Sequence, residues 1–148
     1  MKTKINILWA SMSGTAENVA QQFEKKAIEA DFDVNISELN DVSMNDLLEM
    51  KNVAIITSTT GVGDLPTNGD DFWLDLEKCS KDFSNLNFSV CALGDRSHEI
   101  FCGAGRAISK KLEELNCKKV IKNLECDGDT EGTQEWSIKF LENLKKFN

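Results

Sequence analysis

The sequence contains no tyrosine, one histidine and one proline among its 148 residues. None of its apolar runs approaches the ~20 residues that a membrane-spanning helix needs, and its N-terminus carries no signal-peptide pattern. One histidine and five cysteines without a CxxC pair are a poor ligand set for zinc, so no metal site is expected. We therefore expect a soluble, cytoplasmic protein with reduced thiols.

Positive charge is also scarce. Seventeen basic residues stand against 25 acidic ones, which gives a net charge of -8. This excess of negative charge argues against nucleic acids and anionic membranes as partners and favours a basic protein. The length suits one domain, which we expect to comprise residues 1–148.

Short apolar runs alternate with segments that have helical spacing, and this alternation predicts the fold class. A strand followed by a helix, repeated along the chain, indicates an α/β protein with a doubly wound parallel sheet and helices on both faces. The first, third and fourth runs are nearly continuous in apolar character, as expected of strands buried on both faces. The five predicted strands are residues 4–10, 32–39, 52–59, 88–94 and 118–124.

The loop after the first strand, SMSGTA (11–16), is rich in hydroxyls and lacks a basic side chain. In doubly wound sheets ligands bind beyond the carboxyl ends of the strands, and a helix start there can hold an anion. This loop therefore predicts a phosphate site made of neutral groups, although ordinary N-capping by Ser13 or Thr15 is an alternative. It matches neither a Walker loop nor the GxGxxG fingerprint.

Two further loops at the same edge are unusual. The loop after the third strand, TSTTGVGDLP (57–66), combines hydroxyls with two glycines, and its alternative interpretation is a flexible loop before a helix that starts near Asn68 or Gly69. The loop after the fourth strand, LGDRSHEIFCGAG (93–105), carries apolar and aromatic residues that suit a planar ligand. Alternatively, Phe101 packs beneath this loop.

The motifs SMSGTAEN, STTGVGD and LGDRSHEIFCGAG, in this order, resemble the three FMN-binding loops of flavodoxins. The sequence is most similar to short-chain, MioC-like flavodoxins and to the flavodoxin-like domains of sulfite reductase flavoprotein and cytochrome P450 reductase. The resemblance extends over essentially the whole chain and implies a five-stranded sheet in the order 2-1-3-4-5. It also implies FMN as the cofactor.

Carried over position by position, the resemblance implies three groups of FMN contacts and one further residue, Asp127, near the flavin. The phosphate contacts would be Ser11, Met12, Ser13, Gly14, Thr15 and Ala16. The contacts on one side of the ring would be Thr59, Thr60, Gly61, Val62 and Gly63. The contacts on the other side would be Leu93, Gly94, Asp95, His98, Phe101 and Cys102.

The chain departs from the family pattern at one ring position. Related domains place a tyrosine against the ring in the fourth-strand loop, whereas this chain has His98 there and no tyrosine at all. We expect His98 to stack on the flavin as a neutral imidazole. The alternative is that His98 lies aside and leaves Phe101 or a loop residue as the platform.

The implied function is that of a low-potential one-electron carrier. As a monomer it would pass electrons from an NAD(P)H-dependent flavodoxin reductase to an acceptor enzyme, both with basic docking faces. The flavin carries the redox chemistry, so no catalytic side chain is expected. A phosphate loop without a fixed cation keeps the flavin strongly reducing. The alternatives are a flavin-dependent quinone reductase, a non-flavin regulatory module such as a phosphoacceptor receiver, and one half of a split reductase.

Charge is distributed unevenly along the chain. Residues 5–24, 62–77 and 123–138 contain no lysine or arginine, whereas the lysines cluster before strands or late in helices. Helix ends favour acids early and bases late, which accounts for part of this pattern. With Arg96 as an exception, we expect a negative edge around the flavin that steers a basic partner.

Overall fold

The computed structural model describes residues 2–59, 65–94 and 102–147. Its strands are β1 (Lys4–Ala10), β2 (Asp33–Glu38), β3 (Asn52–Ser58), β4 (Asn87–Gly94), β5 (Lys118–Lys119) and β6 (Leu124–Asp127). Its α-helices are α1 (Thr15–Glu29), α2 (Met44–Leu48), α3 (Asp70–Lys78), α4 (Gly103–Glu114) and α5 (Thr133–Phe147), and a short 3₁₀ helix spans Leu39–Asp41. Within these ranges no helix combines the length and the apolar character that a membrane crossing requires.

The strands form one parallel sheet in the order β2-β1-β3-β4-β5, with β6 also paired to β4. The predicted fold class and strand order are thus confirmed, and a sixth strand is added. Side chains of β1 and β3 are buried at nearly every position, as their continuous apolar runs predicted.

The prediction of one continuous strand over residues 118–124 is wrong. The chain pairs with β4 at Lys118 and Lys119, leaves the sheet, and pairs again from Leu124 to Asp127. Within the gap the side chain of Asn123 replaces the missing main chain: its Oδ1 accepts the Val90 N–H at 2.9 Å. Its Nδ2 donates to Ser109 Oγ at 2.8 Å, which ties the gap to α4.

Two apolar cores cover the two faces of the sheet. On one face α2, α3 and α4 pack through residues such as Leu47, Phe72 and Ile108. On the other face α1 and α5 pack through Phe23 and Trp136, whose ring centroids lie 5.4 Å apart in an edge-to-face arrangement. Because helices cover both faces of the sheet, a ligand site is expected beyond the carboxyl ends of its strands.

Candidate functional site

A cavity of about 520 Å³ opens at the carboxyl edge of the sheet. It lies where the loops after β1, β3, β4 and β6 converge, and its volume falls within the ~300–1,000 Å³ typical of ligand pockets. Its lining comprises Met12, Ser13, Thr15, Ser58, Thr59, Leu93, Gly94, Gly128, Asp129 and Thr130. The fold thus brings together residues from all three loops that the sequence singled out.

The first loop turns sharply into α1 at Gly14. This residue is the N-cap of α1, and its φ of 85° lies in the left-handed region that favours glycine. A Cβ built on Gly14 would meet nothing within 4 Å, so the backbone angle requires the glycine and crowding does not. No side chain caps the helix, and Ser13 Oγ lies 3.3 Å from Thr15 Oγ1. The alternative that Ser13 or Thr15 is the N-cap residue is therefore wrong.

Ser11 forms hydrogen bonds at the start of this loop. Its N–H donates to Asn68 Oδ1 at 3.0 Å, and its Oγ accepts the Ala16 N–H at 3.2 Å. Neither Ser11 nor the fully buried Ala16 lines the cavity, so their direct contact with FMN stays a prediction.

The backbone N–H groups inside the loop are potential hydrogen-bond donors to a ligand. Those of Met12, Ser13, Gly14 and Thr15 have no acceptor within residues 2–59, 65–94 and 102–147. Unpaired N–H groups at a helix start carry partial positive charge, which favours an anion there. The loop therefore offers the donors that an anion site built from neutral groups would need, and binding of the FMN phosphate there stays a prediction.

Thr59 contributes the second wall of the cavity. Its backbone N–H donates to the Leu93 carbonyl oxygen at 2.9 Å, which joins the loop after β3 to the end of β4. Its side chain is 5% exposed, and Oγ1 is a buried oxygen without a hydrogen-bond partner among the described residues. Such a group costs ~1–3 kcal/mol unless something satisfies it. Its position in the cavity lining makes it a ready partner for a bound ligand.

Several predicted ring contacts fall outside the described residues. They are Thr60, Gly61, Val62, Gly63, Asp95, His98 and Phe101. Their contacts with the flavin, including the stacking of His98, stay predictions.

Cys102 lies beneath the cavity rather than in its lining. It is fully buried and takes a left-handed φ of 53° as the N-cap of α4. Its Sγ donates to the Ala92 carbonyl oxygen at 3.5 Å, and a Cβ on Gly94 would lie 3.1 Å from that sulfur. Burial raises the pKa of the Cys102 thiol to about 11, so it is protonated at neutral pH. Its contact with the ring stays a prediction.

The loop after β6 supplies a wall that the sequence analysis missed. Asp127, the predicted residue, is exposed and pairs with Gly94 in register, while the next three residues line the cavity. The Gly128 N–H donates to the Gly94 carbonyl oxygen at 2.6 Å, which fixes this wall to β4. The turn CDGDTEG was visible in the sequence as a glycine-containing segment directly after the last strand, and that position was a sufficient signal.

Lysines are concentrated at one edge of the sheet in the described part of the chain, whereas acidic residues occur at both edges. At the cavity edge Asp70 and Asp71 begin α3, and Asp129 lies in the cavity lining. Arg96, the predicted exception, lies outside the described residues. On α4, Arg106 is paired with Glu125 through two short hydrogen bonds of 2.5 and 2.8 Å. Lysines lie at the opposite edge, where strands begin and helices end: Lys4, Lys26, Lys51, Lys78, Lys118, Lys145 and Lys146. No group of three potential metal ligands occurs among the described residues.

Comparison with known proteins agrees with this architecture. Residues 7–140 match the family model described as Flavodoxin. The chain is 34% identical over 146 residues to the sulfite reductase (NADPH) flavoprotein alpha-component of Bacillus subtilis, covering 97% of this chain and 24% of that protein. The corresponding protein of Vibrio parahaemolyticus is 33% identical, with 97% and 23% covered. The chain thus spans about a quarter of the length of these curated relatives.

Solved structures of similar size match over their full length. A point mutant of the flavodoxin from Pseudomonas aeruginosa superposes with a TM-score of 0.84 at 28% identity, covering 97% of this chain and 99% of that one. A flavodoxin from Streptococcus pneumoniae superposes with a TM-score of 0.83 at 26% identity, covering 99% and 100%. The strand order, the cavity at the carboxyl edge and the family match over residues 7–140 together show that this chain belongs to the flavodoxin family.

Proposed function

We propose that this protein binds FMN and carries electrons one at a time between a reductase and an acceptor redox protein. Family membership supports the proposal, and so does the similarity to the sulfite reductase flavoprotein. The observation that carries it is the set of N–H groups at residues 12–15 that have no acceptor among the described residues, three of which belong to residues lining the cavity at the carboxyl edge.

The residues present fit the cofactor. A phosphate monoester dianion can be held by several N–H and O–H donors at a helix start, and among the described residues no lysine or arginine lines the cavity. The hydroxyls of Ser13 and Thr15 add donors beside those N–H groups. The unpartnered Thr59 Oγ1 offers a hydrogen bond to a polar edge of the ring, and Leu93 offers an apolar wall.

The protein's contribution to the chemistry is binding, orientation and electrostatics. When bound, the isoalloxazine ring accepts and donates electrons. Asp129 in the lining and the acidic start of α3 make this edge negative. A negative edge opposes added negative charge on a ligand, which lowers its reduction potential. This accounts for a low-potential carrier.

The cofactor proposal is tested by absorbance and fluorescence. The purified apoprotein, mixed with FMN, should take up one equivalent, show a resolved flavin absorbance spectrum and quench the flavin fluorescence. Riboflavin, which lacks the phosphate, should bind more weakly because the anion site stays empty. Protein that stays colourless after soaking in FMN would refute the proposal. NADH oxidation by the purified holoprotein alone would favour the quinone reductase instead.

The acidic edge supports partners with basic docking faces. Attraction between exposed charges is screened with a Debye length of ~10 Å at 0.1 M salt. Reduction of the holoprotein by a flavodoxin reductase should therefore slow as ionic strength rises. Asp71→Asn should lower the low-salt rate, whereas Glu29→Gln, a matched change at the opposite edge, should not. A rate independent of salt would contradict acidic docking.

A further inference from the structure

Two asparagines tie together the ends of three neighbouring strands. Asn68 lies 57 positions beyond Ser11, in the segment after β3, yet its Oδ1 accepts the Ser11 N–H at 3.0 Å. Both residues are half-buried. Ser11 is the first residue after β1 and precedes the N–H groups of residues 12–15. The Asn68 amide thus contacts the start of the phosphate loop, and Asn68 does not line the cavity.

The backbone around Asn68 is itself held by Asn40, which follows β2. The Asn40 N–H donates to the Asn68 carbonyl oxygen at 3.0 Å, and Asn40 Nδ2 donates to the Thr67 carbonyl oxygen at 2.8 Å. Asn40 Nδ2 also lies 3.2 Å from Asp70 Oδ1, and Asn40 Oδ1 accepts the Phe72 N–H at 3.1 Å. These bonds fix the Asn68 main chain relative to the start of α3.

Close packing leaves the same segment little room to move. A Cβ on Gly69 would lie 2.8 Å from the Ala10 Cβ and 3.3 Å from Leu39 Cδ1. The segment therefore rests directly on the end of β1, and Asn68 presents its side chain to the next residue, Ser11. An acceptor held this firmly restrains the N–H that it binds.

We propose that Asn68 is a positioning residue for the phosphate, acting through Ser11 on the N–H groups of residues 12–15. The inference rests on the proposed binding of FMN. Ser11 is the point from which the loop departs, and its Oγ also accepts the Ala16 N–H, so it determines where both ends of the loop lie. Without Asn68 the half-buried Ser11 N–H loses its acceptor, and the loop must shift to satisfy it. The loss of affinity should concern the phosphate group of FMN and not the ring, since Asn68 does not line the cavity.

The test compares FMN with riboflavin in Asn68→Ala. We expect the affinity for FMN to fall about 10–100-fold and that for riboflavin to change less than about threefold, because the phosphate alone depends on the loop. The control, Asn45→Ala, removes an exposed amide that accepts a hydrogen bond from Lys81, and it should change neither affinity. Equal losses for both flavins, or no loss, would overturn the inference. Failure of the native chain to bind FMN would instead refute the proposed function.

A second measurement covers the case in which Asn68→Ala does not fold. Asn68→Asp has nearly the same shape and keeps an oxygen facing Ser11. Hydrogen exchange of the Ser11 amide in the apoprotein should be slow in the native chain and remain slow in Asn68→Asp. In folded Asn68→Ala it should be at least about tenfold faster. Fast exchange of Ser11 in the native chain or in Asn68→Asp would overturn the inference.

Discussion

At the scale of single residues, the candidate anion site at residues 11–16 contains only uncharged groups. Gly14 supplies the backbone turn, Ser11 Oγ accepts the Ala16 N–H, and the N–H groups of residues 12–15 lie at the start of α1 without an acceptor among the described residues. Binding then depends on the partial charge of a helix end, which an added full charge would outweigh. A negative side chain placed here should therefore be far more harmful than the loss of a hydroxyl.

Thr15→Asp should abolish detectable FMN binding. Thr15 lines the cavity at the first residue of α1, and a carboxylate there repels the phosphate dianion. Thr15→Val removes the hydroxyl without adding charge, and it should weaken binding only about tenfold, the value of one hydrogen bond. Both are measured by quenching of flavin fluorescence. Unchanged FMN retention in Thr15→Asp would contradict the placement of the phosphate.

Local sequence identified part of the site, and distant contacts determined the rest. Met12, Ser13 and Thr15 were predicted at the phosphate, and they line the cavity. Their signal was local, since a helix start has unpaired N–H groups wherever it occurs. The Ser11 N–H donates to Asn68, and no local sequence pattern connects these two residues because they are 57 positions apart. In the loop after β6, the resemblance named only Asp127, and the next three residues, which line the cavity, were missed.

At the scale of secondary structure, apolar runs identified the central strands and failed at the sheet edge. Burial on both faces makes β1, β3 and β4 nearly continuous in apolar residues. At the edge the residues of β5 and β6 are mixed in polarity, and the side chain of Asn123 takes a main-chain position in the ladder. Period and composition cannot reveal such a substitution, because the ladder normally joins backbone groups.

Asn123→Ala should destabilise the protein by about 1–3 kcal/mol, since the Val90 N–H would lose its acceptor inside the sheet. Lys122→Ala, which removes a neighbouring exposed side chain, should change the stability by less than ~0.5 kcal/mol. Urea unfolding followed by tryptophan fluorescence measures both, and the buried Trp136 reports on this region because its Nε1 donates to Ser89 Oγ. Equal stability of the two variants would show that Asn123 does not bridge the gap.

At the scale of the whole molecule, the placement of the lysines was predictable because the geometry of a parallel sheet is fixed. All strands start at one edge and all helices end there, so lysines before strands and late in helices must collect at that edge. The ion pair between Arg106 and Glu125 was not predictable, since it joins a residue of α4 to a residue of β6.

Stability should fall at alkaline pH because of buried thiols. Burial raises the pKa of Cys102 to about 11 and that of Cys117 to about 12, from an ordinary value of 9.0. Above pH 9 the unfolded chain releases these protons while the folded chain keeps them, so the free energy of unfolding decreases as pH rises towards those pKa values. The slope approaches about 1.4 kcal/mol per pH unit for each thiol.

Comparison of variants isolates the contribution of these thiols. Urea unfolding between pH 8.5 and about 10.5 should show a shallower decline in Cys117→Ala than in the native protein. The double variant with Cys102→Ala should show a still shallower one. The comparison uses the slope, so any general loss of stability from the alanine substitutions does not affect it. Equal slopes in all three proteins would contradict the assigned cause.

The last two residues of β4 also determine the width of the binding cleft. The Leu93 carbonyl oxygen holds the Thr59 wall, and the Gly94 carbonyl oxygen holds the Gly128 wall. Since neighbouring strands are about 4.8 Å apart, the two walls are separated by two strand spacings, roughly 10 Å of main chain. Side chains along either wall can therefore be substituted to change the polarity or the specificity of the cleft. The distance between the walls, which a planar ligand must fit, stays the same.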